Sequence, residues 1–146
     1  MTFPRIDSDD LTAYFDDEHY ITYVVYRGVL TDQQTLRVYA WMGELLKAAI
    51  AAGLGLNDLY GSVYDFREVT NFKQYNLSTV MRESQKVNTK MNLSHVPVAL
   101  LVQSPLQEEL LRIALKLTPQ DYRKKVVHSE QEALDFIEQW HHEHGD

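Results

Sequence analysis

Segments typical of strands alternate with segments typical of helices along this chain, and that order limits the folds that it can adopt. Residues 11–28, "LTAYFDDEHYITYVVYRG", contain two stretches rich in Tyr, Val, Ile and Thr around an acidic turn, which predicts a hairpin. Further strands are predicted at 59–66, 96–103 and 124–129, each followed by a helix. Parallel strands need long crossovers, so only the hairpin is expected to be antiparallel. The order β-β-α-β-α-β-α-β-α predicts a mostly parallel α/β sheet with four helices.

Local signals mark where several helices begin and end. Thr31 with Gln34, and Ser104 with Gln107, have the spacing of a capping box, and Gly53 supplies a stop after the first helix. Spacings of three and four predict the apolar stripe of the first helix: Leu36, Tyr39, Ala40, Gly43, Leu46, Ile50 and Gly53. The second helix is the most polar, with this predicted stripe: Leu77, Val80, Met81, Ser84, Val87 and Met91. The last helix is expected to bury Ala133, Phe136, Ile137 and Trp140.

Composition excludes several classes of function. The 146 residues, expected to form a single domain over 1–146, carry 21 acidic and 14 basic side chains, and a net charge of -7 disfavours nucleic-acid binding. The basic cluster Arg123, Lys124 and Lys125 is interpreted as a solvated strand edge. There is no cysteine, which excludes disulfides and thiolate chemistry. The chain has neither a signal-peptide pattern nor an apolar run long enough to span a bilayer, so we expect a soluble, cytoplasmic protein without membrane insertion.

The arrangement resembles the STAS domain, the fold of the anti-sigma factor antagonist SpoIIAA. The resemblance covers nearly the whole chain. Within that superfamily, the chain more specifically resembles the SpoIIAA-like branch. It is carried by "YITYVVYRGVLT" before the first helix, "YDFREVT" after it, "VPVALLV", and the closing "VVHSEQEALDFIEQW". The resemblance implies a mostly parallel central sheet with an initial β-hairpin and about four helices.

One part of the antagonists' pattern is absent from this sequence. In the antagonists the third strand ends in a stretch resembling Asp-Ser-Ser-Gly, and phosphorylation of a serine there breaks binding to a partner kinase. Asp65 matches the Asp, but the next residues are Phe66, Arg67 and Glu68. Thr70 could be a relocated phosphosite, although Thr and Asn are also ordinary residues at a helix entrance. The kinase-linked switch is therefore not transferred to this chain.

The leading hypothesis is a non-enzymatic regulatory or ligand-binding protein. Asp65, Arg67, Thr70 and Asn71 are the predicted binding surface, at the carboxyl edge of the third strand and the N-terminus of the second helix. The partner would be a regulatory protein or a small nonpolar ligand. The alternative is a carrier that holds a small nonpolar molecule between the sheet and the second helix, which the resemblance also favours. An uncharacterised hydrolase ranks third.

Nothing in the sequence identifies catalytic or cofactor chemistry. There is no Gly-rich phosphate loop and no nucleophile elbow, and His19, His95 and His128 are interpreted as solvated or hydrogen-bonding side chains. His141 and His144 lie one helical turn apart and could share a metal ion, but two terminal ligands do not favour a biological site. The sequence therefore predicts no catalytic residue, no cofactor and no metal, and it leaves open whether identical chains associate into a homo-oligomer.

Overall fold

The computed structural model describes residues 2–72, 75, 77–116 and 121–144. The strands are β1 (Ile6–Asp7), β2 (Leu11–Asp16), β3 (Ile21–Val29), β4 (Gly61–Asn71), β5 (Val98–Leu101) and β6 (Lys124–Val127). The helices are α1 (Asp32–Ala51), α2 (Leu77–Lys90), α3 (Pro105–Lys116) and α4 (Glu130–His144). Short 3-10 turns occupy Leu56–Asp58 and Asp121–Arg123.

The strands form one sheet in the order of the sequence, β1-β2-β3-β4-β5-β6. The three pairs from β3 to β6 are parallel, and the β2–β3 hairpin is antiparallel, as predicted. β1 was not predicted, and it adds a second antiparallel pair beside β2. A two-residue strand carries too little alternation to be recognised in a sequence. The predicted α/β fold is confirmed, with one extra edge strand.

Helices cover the two faces of the sheet unequally. α1 and α3 supply Val38, Trp41 and Leu111 to the larger core, which packs on one face of the sheet. α4 covers the other face, where Ala133 and Ile137 meet the strands in a smaller core. The predicted stripe of α4 is confirmed for Ala133, Ile137 and Trp140, which are buried, whereas Phe136 is only partly buried. α2 packs mainly against α1.

The predicted stripe of α1 was wrong. Leu36, Tyr39, Gly43 and Leu46 are only partly buried, Ala40 and Ile50 are exposed, and Gly53 lies beyond the end of the helix. The residues that face the core are Gln34, Thr35, Val38, Trp41 and Leu45. The first two residues of the buried face are polar. A pattern based on apolar residues alone therefore assigns the wrong face of the helix to the core.

The predicted ends of α1 are confirmed. Gln34 N donates to Thr31 Oγ1 at 3.4 Å while Thr31 N donates to Gln34 Oε1 at 2.9 Å, which closes the capping box of α1. At the other end Gly53 has a φ of 85°, and Leu54 N donates to Ala49 O at 2.8 Å in a Schellman motif. The stop after α1 therefore uses the backbone conformation that glycine adopts without strain.

The second helix follows its predicted stripe where it is described. Val80 is buried, and Met81, Ser84 and Val87 are partly buried. The side chain of Leu77 lies outside the described residues. None of the helices in the described part of the chain combines the length and the apolar character needed to cross a bilayer.

Gln34 and Gln107 each connect a helix cap to the edge of a strand. Gln34 Nε2 donates to Asp10 O at 2.9 Å and to Arg27 O at 3.4 Å. Gln107 Nε2 donates to Arg67 O at 3.3 Å and to Val69 O at 3.0 Å. These two carbonyls belong to the part of β4 that extends past the end of β5. Both glutamines are buried, and their side-chain amides hydrogen-bond to backbone groups at the helix caps and the strand edges.

Candidate functional site

The predicted binding surface begins at a β-bulge in β4. Val25 pairs with Asp65 and Arg27 pairs with Glu68, so two residues of β4, Phe66 and Arg67, lie opposite one residue of β3. A bulge turns the side chains on either side of the extra residue to new directions. Phe66 packs in the larger core, whereas the Asp65 side chain lies against α4 on the other face.

Asp65 and Arg67 form a closed ionic pair within the bulge. Arg67 Nη2 donates to Asp65 Oδ2 at 2.9 Å, and Arg67 Nε and the Arg67 backbone N–H donate to Asp65 Oδ1 at 3.1 and 3.0 Å. Arg67 Nη2 also donates to Glu130 Oε1 at 3.2 Å. Hydrogen bonding to Asp65 raises the pKa of Arg67. The Asp65 side chain is only 11% exposed, so its oxygens are committed to the bulge.

Thr70 and Asn71 do not lie at the start of the second helix, as the sequence predicted. Both belong to β4, because this strand continues along β3 until Asn71 pairs with Val29. Thr70 is exposed, as the extra residue of a second bulge, and Asn71 O accepts from Leu30 N at 2.8 Å. The expected cluster at a helix N-terminus is therefore replaced by one long bulged strand. Phosphorylation of Thr70 stays a prediction.

A cavity of about 150 Å³ lies between the sheet and helices α1, α2 and α3. α2 contributes Val80, Ser84 and Val87 to its wall. The sheet contributes residues of three strands: Tyr26, Ser62, Tyr64, Phe66, Val98 and Leu100. This is the location that the sequence predicted for a nonpolar ligand, between the sheet and the second helix.

Four tyrosines line the cavity and stay neutral at physiological pH. Burial raises the pKa of Tyr64 and of Tyr75 to about 12, and it raises the pKa of Tyr26 well above its ordinary value. Burial also raises the pKa of Tyr39. The ring of Tyr26 stacks on Phe66 with 4.9 Å between centroids. The wall therefore combines aromatic faces with hydroxyl groups that donate and accept hydrogen bonds.

Arg123 was wrongly placed in the sequence interpretation. It is 5% exposed rather than part of a solvated basic edge, and its Nη1 donates to Val96 O at 3.0 Å. Arg123 and Lys124 both line the cavity. Burial lowers the pKa of Arg123, while the nearby Tyr64 and Tyr122 oppose that shift. The run of three basic residues misled because the short turn before β6 directs the first one inward.

Three of the histidines singled out in the sequence bond to backbone carbonyls. His95 Nε2 lies 2.9 Å from Leu56 O, and His141 Nε2 lies 2.6 Å from Tyr60 O with its ring stacked on Tyr60. His144 Nδ1 lies 3.0 Å from Trp140 O. Across residues 2–72, 75, 77–116 and 121–144, no three histidine or acidic side chains are grouped so that they could hold a metal ion.

No pattern in the sequence directly indicates the tyrosine-lined cavity. Its walls come from residues as far apart as Tyr26 and Arg123, and only their alternation on β3 and β4 links Tyr26, Tyr64 and Phe66 in the sequence. Tyrosines at strand spacing are usually core residues, and Tyr26 and Tyr64 both pack with the larger core and line the cavity.

The fold is similar to folds found among solved structures. A scan against protein-family models found no match, and a search of curated protein sequences also found none. Among solved structures, the chain is similar to an uncharacterised DUF3478-family protein with a SpoIIAA-like fold from Shewanella loihica PV-4. The identity is 22% and the TM-score is 0.52, over 90% of this chain and 98% of that one. The protein thus has a SpoIIAA-like α/β fold, as the resemblance implied.

Proposed function

We propose that this protein binds a small, largely nonpolar molecule in the cavity beneath α2. The observation that carries the proposal is the cavity itself, about 150 Å³ in volume, with walls formed mainly by aromatic and aliphatic side chains. An apolar cavity of about this volume in another protein accommodates benzene, so a ligand with a single aromatic or aliphatic ring fits here. The role is binding or carriage without catalysis.

Phe66 links this proposal to the position of the absent phosphoswitch. The residue after Asp65 is 7% exposed, stacks on Tyr26 and lines the cavity. A serine side chain at that place would have neither the ring stack nor the apolar surface. The substitution of phenylalanine at this position therefore supports ligand binding at the cavity face rather than signalling at the surface.

Two measurements test the proposal. Native mass spectrometry of freshly purified protein is expected to show a co-purifying small apolar mass. Acetophenone and ethylbenzene then serve as defined probes of the cavity, and ligand-observed NMR detects their binding. Binding of neither probe, together with a clean apo mass, would contradict the proposal.

Matched leucine substitutions locate the probe. Ala114 lines the cavity, whereas Ala40 is exposed on α1. Ala114→Leu and Ala40→Leu add the same three carbons, and only the first addition fills the cavity. We expect Ala114→Leu to weaken probe binding by about tenfold or more, equivalent to about 1.4 kcal/mol, and Ala40→Leu to leave it unchanged. Equal effects of the two variants would place the probe elsewhere.

Binding of a regulatory protein partner is the second candidate function. The tip of the β3–β4 ribbon exposes Val29, Glu68 and Thr70 side by side, and Val29 is 40% exposed. Asp65 is committed to Arg67, whereas Glu68 is exposed and pairs only at the surface, with Arg27 Nε at 3.4 Å, so Glu68 is the better residue to alter. Glu68→Lys should abolish capture of a partner in a pull-down, and it should change the melting temperature no more than the matched control Glu44→Lys on α1, which also breaks an exposed ion pair. A partner captured equally by both variants would exclude this surface.

A further inference from the structure

A second cavity lies beside the first one. It has a volume of about 60 Å³ and is lined mainly by apolar side chains, among them Leu45 and Ala49 of α1. Three residues line both cavities: Met42, Leu59 and Leu93. We call these three side chains the partition. The two spaces therefore adjoin each other at these three residues.

Met42 is the adaptable member of the partition. Its unbranched side chain has three rotatable bonds and a polarisable sulfur, so it changes rotamer at little cost. The Tyr64 hydroxyl donates to Met42 Sδ over 4.0 Å, and a thioether is a weak acceptor. A ligand oxygen in place of this sulfur would give the Tyr64 hydroxyl a shorter and stronger hydrogen bond.

The sheet carries a polar pair at the same junction. Thr22 lines the smaller cavity and Ser62 lines the larger one, and their Oγ atoms are 2.5 Å apart. Both residues are buried. A polar ligand atom at the junction would therefore meet hydroxyl groups, whereas a ligand segment beyond the partition would meet Leu45 and Ala49.

We infer that the two cavities form one elongated site for a neutral molecule with three parts. This inference rests on the proposed function of the larger cavity. Its ring occupies the larger cavity, where Tyr26 and Phe66 present aromatic faces. Its hydrogen-bond acceptor, a carbonyl or ether oxygen, accepts from the Tyr64 hydroxyl. Its unbranched apolar tail passes Met42 and enters the smaller cavity. The ligand class is thus an alkyl-substituted aromatic or cyclic carbonyl compound.

Alkyl phenyl ketones of increasing chain length test this inference. Affinities of acetophenone, butyrophenone and hexanophenone are measured by NMR titration with the full-length chain. Each methylene that enters an apolar cavity should tighten binding by about threefold to fourfold. Ala49→Leu fills the smaller cavity, and Ala51→Leu, exposed at the end of the same helix, is the matched control. Ala49→Leu should remove the gain from chain length and leave acetophenone binding unchanged, while Ala51→Leu should change neither.

The outcomes separate this inference from the proposed function. Binding of acetophenone without any gain from chain length in the wild-type protein would overturn the elongated site and leave the larger cavity as a binding site. An equal gain in wild type and Ala49→Leu would also overturn it, because the tail would then lie elsewhere. Failure of every ketone while ethylbenzene binds would overturn the elongated site alone, and failure of ethylbenzene as well, together with a clean apo mass, would overturn the proposed function itself.

Tyr64→Phe tests the acceptor position. Each ketone is compared with the alkylbenzene of the same chain length, which lacks the carbonyl oxygen. The wild-type protein should prefer the ketone by about tenfold, and Tyr64→Phe should lose that preference while it still binds the alkylbenzene. A preference that survives in Tyr64→Phe would refute the role of the Tyr64 hydroxyl. Melting curves of both proteins show whether the variant is folded.

Discussion

Replacement of Gln107 by glutamate should destabilise the protein although glutamate is an equally good capping-box residue. The Gln107 carbonyl oxygen accepts from Gln103 N at 2.9 Å and from Ser104 N at 3.3 Å, and a carboxylate can keep both bonds. The amide nitrogen donates to Arg67 O and Val69 O, and a carboxylate cannot donate to either carbonyl. The substitution therefore separates the role of Gln107 at the helix cap from its role at the strand edge.

The magnitude follows from the two lost bonds and the burial of the site. Gln107 is 5% exposed, so two carbonyls would face an added negative charge with little access to water. At about 1–3 kcal/mol for each buried group left without a partner, Gln107→Glu should cost about 2–6 kcal/mol of unfolding free energy. For a chain of this size that corresponds to a fall in melting temperature of roughly 6–18 °C.

Urea titration and thermal melting, both followed by circular dichroism, measure the effect. Gln103→Glu is the matched control, because it adds the same charge four residues earlier on an exposed side chain. It should change the melting temperature by little. A Gln107→Glu protein as stable as the control would show that Gln107 acts at the helix cap alone, and the strand-edge interpretation would be wrong.

Two further predictions concern α4 and the turn before it. A Cβ added at Gly61 would lie 2.8 Å from Ile137 Cδ1, so Gly61→Ala should lower the stability by about 1–3 kcal/mol in urea titration. Adding Ile137→Val to Gly61→Ala should restore part of the lost stability. If it restores none, this contact is not the cause of the loss. Hydrogen bonding to Glu108 raises the pKa of His128, so that pair stabilises the fold below the ordinary histidine pKa and is lost as pH rises through the raised value. Glu108→Gln should lower the melting temperature more at pH 5.5 than at pH 9, and a loss independent of pH would contradict this.

Much of the fold could be predicted from the sequence because its signals are local. The capping boxes at Thr31 and Ser104 and the stop at Gly53 depend on residues within one turn, and all three are present. The stripe of α1 failed because Gln34 and Thr35, both polar, are buried against the sheet. Which helix face is buried depends on strand-edge groups elsewhere in the chain, and periodicity does not record them.

The candidate site could be predicted only in part. Asp65 and Arg67 were predicted at the carboxyl edge of the third strand, but they lie within β4, where its pairing with β5 ends and the strand continues along β3 to Asn71. Thr70 and Asn71 were misplaced because polar residues at a strand end and at a helix entrance have similar compositions. The cavity could be anticipated only as a location, since its volume depends on how α1, α2 and α3 pack.

The bulge at Phe66 and Arg67 also limits how this protein could evolve. Serine in place of Phe66 would lose the stack on Tyr26 and place its hydroxyl at the buried wall of the cavity, out of reach of a kinase. Serine in place of Arg67 would take away the guanidinium that binds the Asp65 carboxylate and would stand ten residues before the first residue of α2, Leu77. Neither single replacement creates an accessible phosphorylation site at a helix N-terminus. A lineage with this bulged strand would need several coordinated changes to acquire a serine switch.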